Sequence, residues 1–171
     1  MADTLHGYRI LRSGDLNLLY RNGEIRQVYL GRVQVLNAIY AAVRDQNWAT
    51  VPFKVSEEGI EAAEDGFSIR LALEYSLDKI LYTARMSIDA KDNMLDVNFE
   101  GTAGSSFLRN RIGLNILHPI KECRGKPVLI THPGGSQSEG RFPELISPHQ
   151  PFFNISGMQW KPGKGIDAAL S

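Results

Sequence analysis

Three histidines and two arginines in one stretch of this 171-residue sequence have the types and spacing that could do chemistry. His118, His132 and His149 lie within residues 109–153, and this stretch opens with Arg109 and Arg111. A neutral imidazole can act as a general base, and a guanidinium can stabilise the oxyanion that forms when water attacks a carbonyl carbon. The pattern therefore favours general acid–base chemistry by a histidine or a carboxylate, with an arginine stabilising negative charge.

Other catalytic signatures are missing from the sequence. It contains no HExxH or CxxC motif, no GxxxxGK[ST] phosphate loop and no GxSxG nucleophile elbow. Folding could still bring the three histidines together as metal ligands, but an ordinary hydrogen bond or simple exposure is favoured for each of them. We therefore predict neither a metal nor a cofactor. What remains is general acid–base chemistry with an arginine stabilising negative charge, which is what opening or epimerising a sugar lactone or hemiacetal would need.

A second polar cluster, Arg44-Asp45-Gln46-Asn47-Trp48, is a candidate for carbohydrate binding. An aspartate beside an arginine in a turn is typically an ion pair or a side-chain-to-backbone cap, and we favour that structural role for Asp45. The indole ring of Trp48 could also stack on the C–H face of a sugar. The structural and the functional interpretation both stay open.

The positions of these side chains depend on a series of β-strands. Four successive segments alternate apolar with polar residues and are separated by short turns: Phe67–Tyr75, Ile80–Ile88, Leu95–Phe99 and Ile112–Ile116. The pattern predicts an antiparallel meander whose apolar sides all face one way. Its reverse side would then collect Arg85, Asn98, Arg111 and Asn115. That side is either a solvated sheet face or the floor of a site for a polyhydroxylated ligand.

The rest of the chain is also interpreted as mainly strand. Asn22-Gly23 predicts a tight hairpin in an N-terminal meander. Residues 33–43 fit both the helical and the strand period, and their β-branched residues lead us to choose strand. Residues 132–151 are so rich in glycine and proline that we expect a long irregular loop over the sheet edge.

Length, charge and cysteine content narrow the class of protein. A chain of 171 residues predicts a single domain over residues 1–171, and 19 basic residues balance 19 acidic ones. This balance argues against nucleic acid or membrane as partners and favours a small molecule. One cysteine and the lack of a targeting or membrane-spanning segment predict a cytoplasmic location. Unpaired strand edges lead us to expect a homodimer.

Three longer motifs stand out along the chain: VLNAIYAAVRDQNWATVP (Val35–Pro52), RNRIGLNILHP (Arg109–Pro119) and FPELISPHQPF (Phe142–Phe152). In this order they resemble the amino-terminal part of the D-apionate lactonase family, which comprises sugar-acid lactone hydrolases of pentose catabolism. Members of that family are longer, so the chain is predicted to be the N-terminal part of a longer architecture. The resemblance adds Asn110 and Gln150 to the motif residues of interest.

The predicted fold is an all-β antiparallel β-sandwich, similar to the galactose-mutarotase-like supersandwich. The predicted function is that of a sugar-acid lactone hydrolase, or its β-sandwich domain, acting on a D-apionolactone-type substrate. The alternative is a non-catalytic carbohydrate-binding or domain-docking module. The catalytic candidates are His118, His132, His149, Arg109 and Arg111. The substrate-binding candidates are Arg44, Asp45, Asn47, Trp48, Asn110, Asn115 and Gln150.

Overall fold

The computed structural model of the protein describes residues 4–146 and 149–171, and strands dominate these ranges. The strands are β1 (Thr4–Leu5), β2 (Tyr8–Ser13), β3 (Leu16–Arg21), β4 (Glu24–Leu30), β5 (Val33–Asp45), β6 (Phe53–Ala62), β7 (Gly66–Leu77), β8 (Ile80–Lys91), β9 (Met94–Ala103), β10 (Arg109–Leu117), β11 (Pro127–Thr131), β12 (Gln137–Arg141), β13 (Gly157–Gly163) and β14 (Ile166–Leu170). The short helix α1 spans Ile120–Cys123. No helix in the described ranges is long and apolar enough to cross a membrane.

The chain divides into two compact units. Unit 1 contains the chain up to Gly31 together with Leu36–Leu117, and unit 2 contains Arg32–Val35 together with His118–Ser171. This division follows compactness alone and leaves the prediction of a single domain untested.

Unit 1 is an antiparallel β-sandwich, as the sequence predicts. One sheet has the strand order β1-β2-β3-β4-β5-β10 and the other β6-β7-β8-β9. Alternate residues of both sheets are fully buried, among them Leu18, Ile25, Ile69 and Ile88. The Asn93 side-chain oxygen accepts hydrogen bonds from the Asp15 and Leu16 amides at 3.0 and 3.2 Å, which ties the turn of one sheet to the other.

The predicted four-stranded meander is right for three strands and wrong for the fourth. β7, β8 and β9 are neighbours, but β10 pairs with β5 in the other sheet, with Ile112 opposite Val43. After β9 the chain is held at the sheet edge, because the Ser105 hydroxyl donates to the Lys79 carbonyl at 2.7 Å and accepts from the Leu81 amide at 3.0 Å. It then crosses to the second sheet. Alternation specifies which face a residue occupies, but it does not specify the neighbouring strand.

This crossover separates the polar face that the sequence predicts. Arg85 and Asn98 lie on the sheet β6-β7-β8-β9, whereas Arg111 and Asn115 lie on β10 of the six-stranded sheet. The predicted collection of all four side chains on one sheet face is therefore wrong.

Two local predictions are confirmed. Residues 33–43 are strand, within the thirteen-residue β5. Asn22 and Gly23, with φ angles of 48° and 77°, form the hairpin turn between β3 and β4. Two consecutive residues in the left-handed region are what a two-residue type I′ turn requires.

Unit 2 is a smaller antiparallel sheet with the order β12-β11-β13-β14. Its core includes Cys123, Val128, Phe142, Met158 and Trp160. The expected irregular loop over residues 132–151 is interrupted by β12, whose residues Gln137–Arg141 pair with β11. A glycine-rich segment can still complete a ladder, since the backbone supplies those hydrogen bonds.

Gly66 and Gly59 offer a matched test of packing between β7 and β8. A Cβ atom on Gly66 would collide with the Ala90 carbonyl oxygen, whereas one on Gly59 would meet nothing within 4 Å. We expect Gly66→Ala to lower the free energy of unfolding by about 1–3 kcal/mol, and Gly59→Ala to change it by less than about 0.5 kcal/mol. Urea unfolding followed by circular dichroism measures both values. Equal stability of the two variants would contradict this packing.

Candidate functional site

The turn after β5 holds Trp48 in an exposed position. The Asp45 carboxylate accepts hydrogen bonds from the Asn47 and Ala49 amides at 2.8 and 2.9 Å. The Ala49 carbonyl accepts a hydrogen bond from the backbone amide of Asp45 at 3.0 Å, which closes the turn. Trp48 adopts a positive φ of 68° at the tip, and 56% of its surface is exposed. The favoured sequence interpretation of Asp45, a side-chain-to-backbone cap, is confirmed.

β10 brings a second motif against this turn. The side-chain amide of Asn110 donates hydrogen bonds to the backbone carbonyls of Asp45 and Gln46 at 3.2 and 2.7 Å. The ladder shifts register between Arg109 and Arg111, so Arg109 lies opposite Asp45 and Arg111 opposite Arg44. Two motifs that lie far apart in the sequence therefore form one cluster in unit 1.

Arg44, Trp48 and Arg111 form what we call the cation–aromatic shelf. The Arg111 guanidinium lies 5.7 Å from the centre of the Trp48 ring, within the range of a cation–π interaction. Arg44 donates to the Thr50 hydroxyl at 2.6 Å. Arg44 and Arg111 are directly opposite each other on the ladder, so the shelf combines two basic residues with an indole ring. The shelf therefore suits a ligand with an apolar face and a negative group.

A cavity of about 590 Å³ lies in unit 1 beside the crossover from β9 to β10. It is lined by Tyr82, Ala103, Ser105, Ser106, Phe107, Arg109 and Ile112. Among the described residues, the Arg109 guanidinium forms no ion pair. An arginine, hydroxyl groups and aromatic rings in a cavity of this size are a lining suited to a small polar ligand.

The Tyr82 wall of this cavity is backed by other aromatic rings. Tyr82 stacks on Phe99 with ring centres 6.4 Å apart and meets Tyr75 edge-on at 6.0 Å. A Cβ on Gly101 would lie about 2.5 Å from the Tyr82 ring, so only glycine leaves room for it there. Tyr75 is fully buried, its hydroxyl has no hydrogen-bond partner within the described ranges, and burial raises its pKa well above the ordinary value. The contacts with Tyr75 and Phe99 therefore fix the position of the Tyr82 ring.

The outer face of the sheet β6-β7-β8-β9 carries a separate groove of about 550 Å³. Its charged residues are of both signs and lie close to one another: Arg85 is opposite Glu100, and Arg70 forms an ion pair with Asp89 at 2.8 Å. Cross-strand pairs of this kind neutralise each other and are usual on a solvated sheet. The structure thus favours the solvated-face interpretation for this surface.

His118 lies among aromatic rings in unit 2. Its ring centre is 4.9 Å from that of Phe142 and 4.8 Å from that of Trp160. Its Nδ1 atom is buried and has no hydrogen-bond partner among the described residues. Burial lowers the pKa of His118 to about 4, because a charged imidazolium would lose its hydration there. His118 is therefore neutral at physiological pH.

His132 is held at both ring nitrogens. Its Nδ1 lies 2.8 Å from the Asn154 carbonyl oxygen, and its Nε2 lies 2.8 Å from the Ser138 hydroxyl. A carbonyl oxygen can only accept, so the proton is on Nδ1, and the lone pair on Nε2 of the neutral ring faces Ser138. Asn154 and Ser138 were not among the candidates from the sequence, because no motif connects them to His132.

The other candidates take varied positions. His149 and Gln150 are exposed in unit 2, beside residues 147 and 148, which lie outside the described ranges. Asn115 is half-buried on β10, opposite Tyr40. Cys123 is buried, and burial raises the pKa of its thiol to about 11, which keeps it protonated and a poor nucleophile.

Unit 1 thus brings together seven of the twelve candidates: Arg44, Asp45, Asn47, Trp48, Arg109, Asn110 and Arg111. The histidines and Gln150 belong to unit 2. Sequence reasoning missed Tyr82, Ser106 and Phe107, since their segments were interpreted as core strand and turn. In the described ranges, no group of three or more His, Cys, Asp or Glu side chains could hold a metal ion.

The desolvated imidazole of the half-buried His118 generates a test of stability against pH. Its folded pKa of about 4 lies below the ordinary 6.5, so the unfolded chain takes up the proton first as the pH falls. The stability that this difference contributes is present above pH 6.5 and is lost as the pH falls towards 4. We expect His118→Phe, which keeps a ring against Phe142 and Trp160, to lose less stability than wild type between those two pH values. Urea unfolding at a series of pH values measures the difference, and identical pH profiles would contradict the burial of His118.

Comparison with known proteins assigns the chain to a family. The chain is 29% identical over 160 residues to the D-apionate lactonase of Brucella anthropi, an alignment that covers 92% of this chain and 26% of that protein. The chain thus spans about a quarter of the length of this relative. A family model described as "D-apionate lactonase, N-terminal domain" matches residues 2–171. The chain therefore belongs to the D-apionate lactonase N-terminal domain family, as the three sequence motifs indicated.

Proposed function

We propose that this chain takes part in the hydrolysis of a sugar-acid lactone, and that the cavity around Arg109 binds the substrate or its acid product. The observation that carries this proposal is the combination of a guanidinium without an ion-pair partner in the described ranges, two aromatic rings and two serine hydroxyls around about 590 Å³. The relative from Brucella anthropi is named for the same class of reaction.

The functional groups of a sugar acid match the residues that line the cavity. Its carboxylate would accept hydrogen bonds from Arg109. Its hydroxyl groups would pair with Ser106 and with backbone groups of the crossover. Its C–H face would lie on Tyr82 or Phe107, since aromatic rings bury such faces well.

The cation–aromatic shelf is the second element of the proposal. Arg111 and Trp48 lie on the strand and turn adjacent to Arg109, and all three belong to unit 1. They would bind a part of the ligand that extends beyond the cavity. Membership of the lactonase family favours this role over the alternative, a purely non-catalytic carbohydrate-binding or docking module.

Three further parts of the proposal concern the location, the sheet arrangement and the oligomeric state of the protein. We keep a cytoplasmic location, which the single cysteine supports, and a galactose-mutarotase-like arrangement of the sandwich sheets. A homodimer is supported by the ten-residue β6, which lies at a sheet edge and is mostly exposed. Light scattering that found a monomer would contradict the dimer.

Replacement of Arg109 tests the cavity. We expect Arg109→Ala to weaken binding of D-apionate and its lactone by about tenfold or more, because a hydrogen bond to a charged group contributes about 1.5–3 kcal/mol. Isothermal titration calorimetry on the full chain measures the dissociation constants, and a pH-stat assay detects turnover.

The matched control for this experiment is Arg124→Ala. Arg124 is exposed, belongs to unit 2 and pairs with Glu144 at 3.6 Å. Its replacement should leave the affinity unchanged. Equal affinities of Arg109→Ala and wild type would overturn the role of the cavity.

Tryptophan fluorescence tests the shelf. The chain has two tryptophans, of which Trp48 is exposed and Trp160 buried. A ligand stacked on Trp48 should change its emission, and Trp48→Phe should abolish that change. Trp48→Ala should weaken binding by about two- to tenfold, the usual range for one aromatic contact. Unchanged affinity of Trp48→Ala would remove the shelf from the binding site.

A further inference from the structure

We propose that Ser138 and His132 form a nucleophile–base dyad for acyl transfer, with the Asn154 carbonyl orienting the imidazole. The three groups are connected by two successive hydrogen bonds. The Ser138 hydroxyl lies 2.8 Å from His132 Nε2, and His132 Nδ1 lies 2.8 Å from the backbone carbonyl oxygen of Asn154. All three residues belong to unit 2. A serine whose proton faces a basic nitrogen, with the other nitrogen held by a fixed acceptor, is the arrangement that activates a hydroxyl nucleophile.

The backbone around the dyad fixes the position of its acceptor. Ser156 donates its amide to the Thr131 carbonyl at 2.8 Å, so the segment after Asn154 is held against the end of β11. Asn154 itself has a positive φ of 52°, a conformation that asparagine tolerates better than most residues. The His132 amide donates to the Ser136 carbonyl at 2.8 Å, which closes the hairpin that carries both members of the dyad.

The turn between the two residues carries no side chain at two of its positions. Gly134 and Gly135 have φ angles of 90° and 86°, and a Cβ on either would meet nothing within 4 Å. Ser138 is exposed and His132 is half-buried. Because Ser138 is exposed, an ester can reach it from solvent.

The chemical class of substrate is a carboxylic ester, and the choice of a lactone rests on the proposed function. The Ser138 oxygen would attack the lactone carbonyl carbon while its proton passes to His132 Nε2. The ring C–O bond then breaks, and the ring oxygen takes that proton and becomes a hydroxyl of the acyl group on Ser138. Water attacks this ester, its proton passes through Nε2 to the departing Ser138 oxygen, and the hydroxy acid is released. One water is consumed for each lactone opened.

A covalent probe tests the dyad independently of sugar binding. The full chain is treated with an alkyl fluorophosphonate, and the modified residue is identified by peptide mass spectrometry. We expect modification at Ser138, none in Ser138→Ala, and a rate about 100-fold lower in His132→Ala, since a general base contributes factors of this size. Ser136→Ala, in the same turn, is the matched control and should react as wild type does.

A second variant separates chemistry from folding. His132→Gln keeps an amide that can hydrogen-bond in the hairpin but cannot take up the serine proton, so it should melt at nearly the wild-type temperature and still lose modification. If wild type is not modified at Ser138, or if His132→Gln reacts as fast as wild type, the proposal is overturned and the contacts serve only to hold the hairpin. Failure of the Arg109 experiment would instead overturn the proposed function and leave this result unaffected.

Discussion

The ladder between β5 and β10 is the interaction on which the candidate site of unit 1 depends. It runs from Arg109 opposite Asp45 to Leu117 opposite Ala38 and shifts register once, between Arg109 and Arg111. Burial of Val43 in the sandwich sets this register, because a slip of one residue would turn the buried side chains to the other face. At this register shift, the side-chain amide of Asn110 donates hydrogen bonds to the backbone carbonyls of Asp45 and Gln46. A single pairing therefore holds both polar motifs in contact.

Charge distribution distinguishes the two polar surfaces of unit 1. On the outer face of the sheet β6-β7-β8-β9, Arg70 forms an ion pair with Asp89 and Arg85 lies opposite Glu100. At the end of the other sheet, Arg44 lies opposite Arg111, and Arg109 reaches the cavity. A guanidinium without an ion pair in the described ranges, such as that of Arg109, attracts an anionic ligand, whereas paired charges mainly stay hydrated. This contrast is why the cavity, rather than the outer face of the sheet β6-β7-β8-β9, is proposed to bind substrate.

His118 and His132 of unit 2 differ in what surrounds their ring nitrogens. His118 loses water to the rings of Phe142 and Trp160, which depresses its pKa and leaves one nitrogen without a partner among the described residues. His132 has a hydrogen-bond partner at each nitrogen, and one of these partners is the hydroxyl of Ser138. A base must lie within hydrogen-bond reach of the proton that it takes up, so His132 is the better placed of the two for catalysis.

The sequence alone determined the strand content, the antiparallel class and the local turns, because side-chain alternation and turn chemistry are short-range properties of the chain. The strand over residues 33–43 and the Asn22-Gly23 hairpin followed from this, and the family was recognisable from three motifs. Only the tertiary structure decided that β10 leaves the meander to pair with β5, since alternation does not encode which strand is the neighbour. The same limit applies to the Asn154–His132–Ser138 contact. His132 and Ser138 belong to one hairpin, whereas Asn154 lies in a loop 22 residues after His132. No local sequence pattern predicts that this loop contacts the hairpin.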